Sequence, residues 1–212
     1  MTGPLSCFVL VRCHLFGSAE PVDLGCKLTS VPSPYHRFVR SDAATTATSE
    51  LDQVDALAAQ LMRHIGEQSS AIDLVHIHRA QSRAVQLIVS ELLTTRLGFG
   101  EEVVIPKGFG FSTRARPDFY YGLGADRGII AEVERGGTTT NNHDLKDVWK
   151  AHISPNAHHL FLVVPNANWN EAGRARERPF ARVVARLGTF FGDPRRELDV
   201  LSVHVFGYGR AA

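Results

Sequence analysis

Apolar residues along this chain recur first at helical and then at strand spacing, in an order that predicts an α/β protein. Leu51, Val54, Ala58, Leu61 and Ile65 fall at three- and four-residue intervals, one face of a helix over 50–65. Such a face docks either on the chain's own core or on a second subunit. A second stripe, Ala84, Leu87, Ile88, Leu92 and Thr95, predicts a helix over 78–97 that ends near Gly98. Glu102-Val-Val-Ile105 reads as a short strand, followed by the turn-rich Pro106-Lys-Gly-Phe-Gly110. Two further strand-like runs, 116–121 and 129–135, are joined by the Gly-rich 122–128 and predict a hairpin. Leu145, Val148, Trp149 and Ile153 form the apolar face of a short helix closed by Pro155. His159-Leu-Phe-Leu-Val-Val164 is a continuous apolar run, as expected of a strand buried on both faces. Residues 174–191 read as an arginine-studded helix and 198–206 as a final strand. From residue 78 the order is α-β-β-β-α-β, then α-β, which gives a mixed sheet flanked by helices.

Residues 1–49 are different in character. Thr29-Ser-Val-Pro-Ser-Pro34 and the Ser/Thr/Ala-rich 41–49 are poor in core formers, so this segment is expected to be a poorly structured appendage. Residues 50–212 are then one α/β domain, with its core over 78–165. A hydrophobic fraction of 44% and a charged fraction of 21% fit a soluble globular chain. The net charge of +1 leaves any polyanion site to a local patch. Phe8-Val-Leu-Val11 is stopped by Arg12, too short for a membrane span. The three cysteines, Cys7, Cys13 and Cys26, contain no C-x-x-C pair, which argues against a disulfide framework and for a cytoplasmic setting.

The candidate chemistry lies in four carboxylates. Glu132 and Glu134 are two apart, so on a strand both face the same side. Asp118 lies at the start of the preceding strand, and a hairpin would bring all three to one end of a sheet. Glu91 falls within an apolar helical stripe, where an unpaired charge is costly and a metal would be a partner. Glu91, Asp118, Glu132 and Glu134 together supply enough oxygens for two Mg²⁺ ions, with Mn²⁺ as a substitute. The plainer reading of Glu132 and Glu134 is a solvent-facing stripe with Ala131 and Val133 inward.

Pro117-Asp118 on one strand and Glu132-x-Glu134 on the next, within the α-β-β-β-α-β order, resemble the PD-(D/E)XK nuclease superfamily. The resemblance covers 78–165 and implies the restriction-endonuclease-like fold. It implies that Asp118 and Glu132 are Mg²⁺ ligands and that a lysine two residues after the glutamate positions or activates the attacking water. Glu134 stands at that lysine position. A minority of restriction enzymes of this fold carry an acidic residue there and add a glutamate from the first core helix, which Glu91 matches.

The function expected is Mg²⁺-dependent hydrolysis of phosphodiester bonds, with DNA ahead of RNA as substrate and a homodimer as the natural partner of a two-stranded duplex. Glu134 is a candidate to accept the proton of the attacking water. Lys146 and Lys150, one turn apart, either contact phosphate, replace the missing lysine, or are solvated. Arg135, beside two glycines, and Arg178, Arg182 and Arg186, on one helix face, are candidates for nucleic-acid contact. The alternative function is a catalytically inactive nuclease-fold module that binds nucleic acid or a protein. His76-Ile-His78 and His158-His159 lack a third ligand at zinc spacing and read as satisfied or surface histidines.

Overall fold

The computed structural model describes residues 33–105 and 115–212. In chain order the elements are β1 (Tyr35–Val39), α1 (Ala43–Thr46), α2 (Thr48–Glu67), α3 (Ser69–Val75), α4 (Ser82–Thr95), β2 (Gly100–Glu101), β3 (Phe119–Gly124), β4 (Arg127–Val133), α5 (His143–Ile153), β5 (His159–Pro165), β6 (Asn168–Trp169), β7 (Ala175–Glu177), α6 (Pro179–Leu187) and β8 (Ser202–Tyr208). The turn at 106–110 and the three cysteines lie outside the described residues. Among the described residues no helix is long and apolar enough to cross a membrane.

The protein is α/β, with a six-stranded mixed sheet in the order β1-β8-β5-β4-β3-β2. β4, β5 and β8 run parallel, while β1, β3 and β2 pair antiparallel with their neighbours. Alternation along each strand divides the core into two layers. Ile129, Ala131, Val133, Phe161, Val163 and Phe206 pack against α2, α3 and α4. Ile130, Leu160, Leu162, Val164, Val203 and Val205 pack against α5 and α6. Because both sheet faces are covered, β5 is buried along its whole length, as its unbroken apolar run predicts. The 50–65 stripe docks α2 on the chain's own sheet.

Several expectations need correction. The appendage does not reach 35–49, since β1 forms the sheet edge beside β8 and α1 packs through Ala43 onto Leu51 and Leu201. Alternation in five residues beside a proline-rich stretch gave too weak a period to read. The strand expected at 102–105 is instead β2 at Gly100–Glu101. Backbone bonds from Glu102 N–H to Asp118 O and from Ile105 N–H to Ala115 O, both 2.9 Å, carry the pairing past it. Gly122 and Gly128 pair within the hairpin rather than forming its turn, which falls at Ala125-Asp126, with Asp126 at φ 55°. The arginine-rich helix does not begin at 174. The extended backbone preferred before a proline sets β7 apart, and Pro179 starts α6 in its first turn.

A chain of buried hydrogen bonds ties β1, β8 and β5 to α2. Tyr35 Oη donates to His204 Nδ1 (2.7 Å) and His204 Nε2 donates to Ser202 Oγ (3.0 Å). Ser202 Oγ donates to His159 Nδ1 (2.7 Å) and His159 Nε2 donates to Glu50 Oε1 (2.7 Å). Glu50 accepts only, and burial holds both histidines neutral, which together fix the direction of every bond. Burial opposes the charge of Glu50, but Arg127 and His159 outweigh it and hold its carboxyl below the usual range. Ser202, His159 and His204 have no exposed surface, so the serine–histidine–glutamate run is closed to substrate and serves the fold. Ser202→Ala leaves one buried ring donor and one buried ring acceptor unpaired. It is expected to cost roughly 2–4 kcal/mol in urea unfolding; a loss too small to resolve would remove the network from the fold's main supports.

Candidate active site

The β3–β4 hairpin brings Asp118 and Glu132 together. Phe119 pairs with Ala131, so the residues just outside that pair sit side by side at one end of the ladder. Asp118 N–H donates to Glu132 Oε2 at 3.3 Å, and Val133 N–H donates to Asp118 Oδ2 at 2.9 Å. Each carboxylate therefore holds the other's strand. Glu132 follows Ile130 on the face that α5 covers, and it is only 4% exposed. This rules out the solvent-facing stripe.

From α5, Lys150 Nζ donates to Glu132 Oε1 at 2.5 Å and to Asp147 Oδ1 at 3.2 Å. Asp147 is also 4% exposed, and its Oδ2 has no partner among the described residues. Burial pushes the Glu132 carboxyl up to about 7 against the pull of Lys150. Burial, then the nearby Glu132 charge, hold Asp147 well above the ordinary carboxylate range. Asp118 is also raised, chiefly by burial. Burial disfavours the Lys150 charge, yet Glu132 and Asp147 outweigh it and keep its pKa above the ordinary value. Two buried carboxylates share one ammonium here, so the group retains a proton to higher pH than an isolated ion pair would.

The four-carboxylate cluster is not formed. Glu91 is exposed on α4, which packs against the opposite sheet face. The stripe that α4 buries is Val85, Val89, Leu92 and Leu93, while Leu87 is 54% exposed. Apolar residues make up half of this helix, which allowed the face to be assigned about one position out of phase. Glu134 lies just past β4 and accepts from His143 Nδ1 at 2.9 Å. Among the described residues no three His, Cys, Asp or Glu side chains group to hold a metal.

The expected basic residues also separate. Lys150 joins the site, whereas Lys146 is exposed. Arg135 donates to the carbonyls of Ile77 and Ala80 and fastens the α3–α4 connection. Arg186 donates to Thr139 O (3.1 Å) and Asn142 Oδ1 (2.7 Å), with the buried Asp144 at 3.4 Å. Both arginines are thus engaged within the fold rather than free for phosphate. Arg178 and Arg182 are exposed. His76 Nε2 and His78 Nδ1 bond the carbonyls of Ala167 and Trp169, while His76 Nδ1 is buried with no partner among the described residues.

Sequence reasoning missed Asp147 and Gln86. Asp144 and Asp147 occupy the buried side of α5, while Trp149 is 59% exposed. The available signal was the Asp147-x-x-Lys150 pair beside Val148 and Ala151. Buried Gln86 lines an open cleft of about 550 Å³ with Asp118, Arg83, Glu101 and Glu102. Comparisons with protein-family models, curated proteins and solved structures return no match for this chain.

Proposed function

We propose that this protein is a Mg²⁺-dependent nuclease of the restriction-endonuclease-like type, hydrolysing phosphodiester bonds of DNA. The observation that supports this most is Lys150 on the Glu132 carboxylate, with Asp118 beside it, at the carboxyl end of β4. In open α/β sheets ligands bind outside the carboxyl ends of the parallel strands. The element order α4-β2-β3-β4-α5-β5 is compatible with the same reading.

The residues fit one hard cation rather than two. Among the described residues Asp118 bonds through Oδ2 alone, and Glu132 Oε2 holds only a 3.3 Å backbone contact. Asp118 and Glu132 are therefore the ligands in this reading, and Glu91 and Glu134 are not. A bound Mg²⁺ polarises the phosphoryl group and lowers the pKa of water. Lys150 takes the part of the lysine that Glu134 displaces from the strand. It approaches the same carboxylate from a helix and carries positive charge where negative charge develops on the phosphoryl oxygens. Asp147 keeps that lysine charged and aimed. In this reading Glu134, which is paired with His143, takes the proton from water.

Supercoiled plasmid DNA incubated with Mg²⁺, Mn²⁺ or EDTA tests this. Cleavage is expected with either metal and none with EDTA. Asp118→Asn weakens the hold on the ion and lowers the rate by about a hundredfold. Metal-independent nicking, or an equal rate in the variant, would reject the site. The second reading is an inactive module. It is favoured by Lys150 already neutralising Glu132, and it predicts no cleavage under any condition.

A further inference from the structure

We propose that the exposed face formed by β7 and the first turn of α6 docks the phosphodiester backbone of duplex DNA. The choice of DNA as the polyanion rests on the nuclease reading; the surface itself stands on separate observations. Arg176, Arg178 and Arg182 line one open cleft of about 430 Å³, and exposed Arg174 flanks it. Among the described residues no carboxylate lies within ion-pair distance of these four arginines. Elsewhere Arg40, Arg83, Arg116 and Arg195 each sit on a carboxylate. In a chain of net charge +1, four uncompensated guanidinium groups within nine residues are a concentrated positive patch.

The local backbone presents these side chains outward. Trp169 pairs with Ala175 and Asn168 with Glu177, so Arg176 is the extra residue of a β-bulge, a device that re-aims a side chain. Glu177, the one acid lining the cleft, accepts from Asn168 Nδ2 at 3.1 Å. Arg176 also lines the adjoining cleft with Gly136, Gly137 and Asn141, in the loop that leaves β4 after Glu134. The arginine face therefore leads toward the Glu132 end of the sheet.

The surface suits a backbone better than unstacked bases. Single-strand platforms combine basic grooves with free aromatic faces. Here Trp169 has the Arg210 guanidinium 4.4 Å over its ring. Ala175 and Ala181 line the cleft, and their short side chains allow a phosphate to approach the guanidinium forks.

Fluorescence anisotropy with a short labelled DNA duplex, in EDTA and over a series of salt concentrations, tests this without cleavage. Each arginine meeting a phosphate contributes about 1 to the slope of log K against log salt. Arg176→Ala/Arg182→Ala is expected to lower that slope by about 2 and to weaken binding roughly tenfold or more near 0.1 M salt. Arg63→Ala/Arg96→Ala removes two exposed arginines elsewhere and is expected to leave binding unchanged. No loss in the first variant, or an equal loss in both, overturns the docking surface. Arginine-dependent binding without cleavage in Mg²⁺ would sink the nuclease reading alone.

Discussion

Lys150→Met is expected to lower metal-dependent DNA cleavage by about a thousandfold, the size of effect seen when a positioned transition-state donor is removed. Lys150 Nζ is the cation between Glu132 and Asp147, and methionine keeps its length and burial without its charge. Two carboxylates then face each other in a buried site, and both shift further toward their protonated forms. A protonated Glu132 holds a cation poorly, so the variant loses positive charge at the phosphoryl group and its grip on the metal together. Breaking a buried ion pair also costs stability. Lys150→Met/Glu132→Gln removes one of the two carboxylates left without a cation and, with Asp147 then free of its charged neighbour, is expected to melt closer to wild type than Lys150→Met while remaining inactive. Asp147→Asn leaves Lys150 on Glu132 and is expected to lose about tenfold in rate, since it removes only the positioning partner. Single-turnover cleavage measured beside thermal melting separates the two effects. A folded Lys150→Met protein cleaving at the wild-type rate would assign the lysine to stability alone.

The hairpin that joins Asp118 to Glu132 was readable because it rests on local signals: two short strands, glycines between them, and a period of two that fixes which side each carboxylate faces. The burial of β5 was readable for the same reason. What failed required knowledge of rotation about a helix axis. On α4, Val85, Leu87, Ile88, Val89, Leu92 and Leu93 admit more than one apolar face, and choosing the wrong one placed Glu91 inward. On α5 the hydrophobic rule pointed the wrong way. Asp144 and Asp147 are buried and Trp149 is exposed, because Lys150 and Arg186 supply the charges that make the acids tolerable inside. Arg135 and Arg186 show the same limit from the other side. Each looked free in the sequence because its carbonyl and amide partners lie more than forty residues away.

Acidification from pH 6.5 toward 4 is expected to lower folding stability steeply through the Tyr35–His204–Ser202–His159–Glu50 chain. Burial, the largest cause in each case, holds His159 down to about 4 and His204 down to about 3, although the Glu50 carboxylate pulls His159 the other way. In the unfolded chain both titrate near 6.5. The folded protein thus binds fewer protons than the unfolded one throughout this window. The stabilisation is complete above pH 6.5 and is lost as pH falls toward the folded values. At about 1.4 kcal/mol per pKa unit, His204 alone accounts for up to about 5 kcal/mol, a large part of a typical domain's stability. Glu132 works in the opposite sense. Its raised carboxyl stabilises fully below about 4.5, the unfolded value, and that contribution fades as pH rises through about 7. Comparing two proteins that both retain Glu132 removes this opposing effect. His204→Gln can still accept from Tyr35 and donate to Ser202, but it does not titrate. Urea unfolding in EDTA at a series of pH values should show wild type losing several kcal/mol more than His204→Gln between pH 6.5 and 4. Parallel curves for the two proteins would mean that His204 takes up its proton as readily in the folded as in the unfolded chain, with Nδ1–H then donating to Tyr35 Oη.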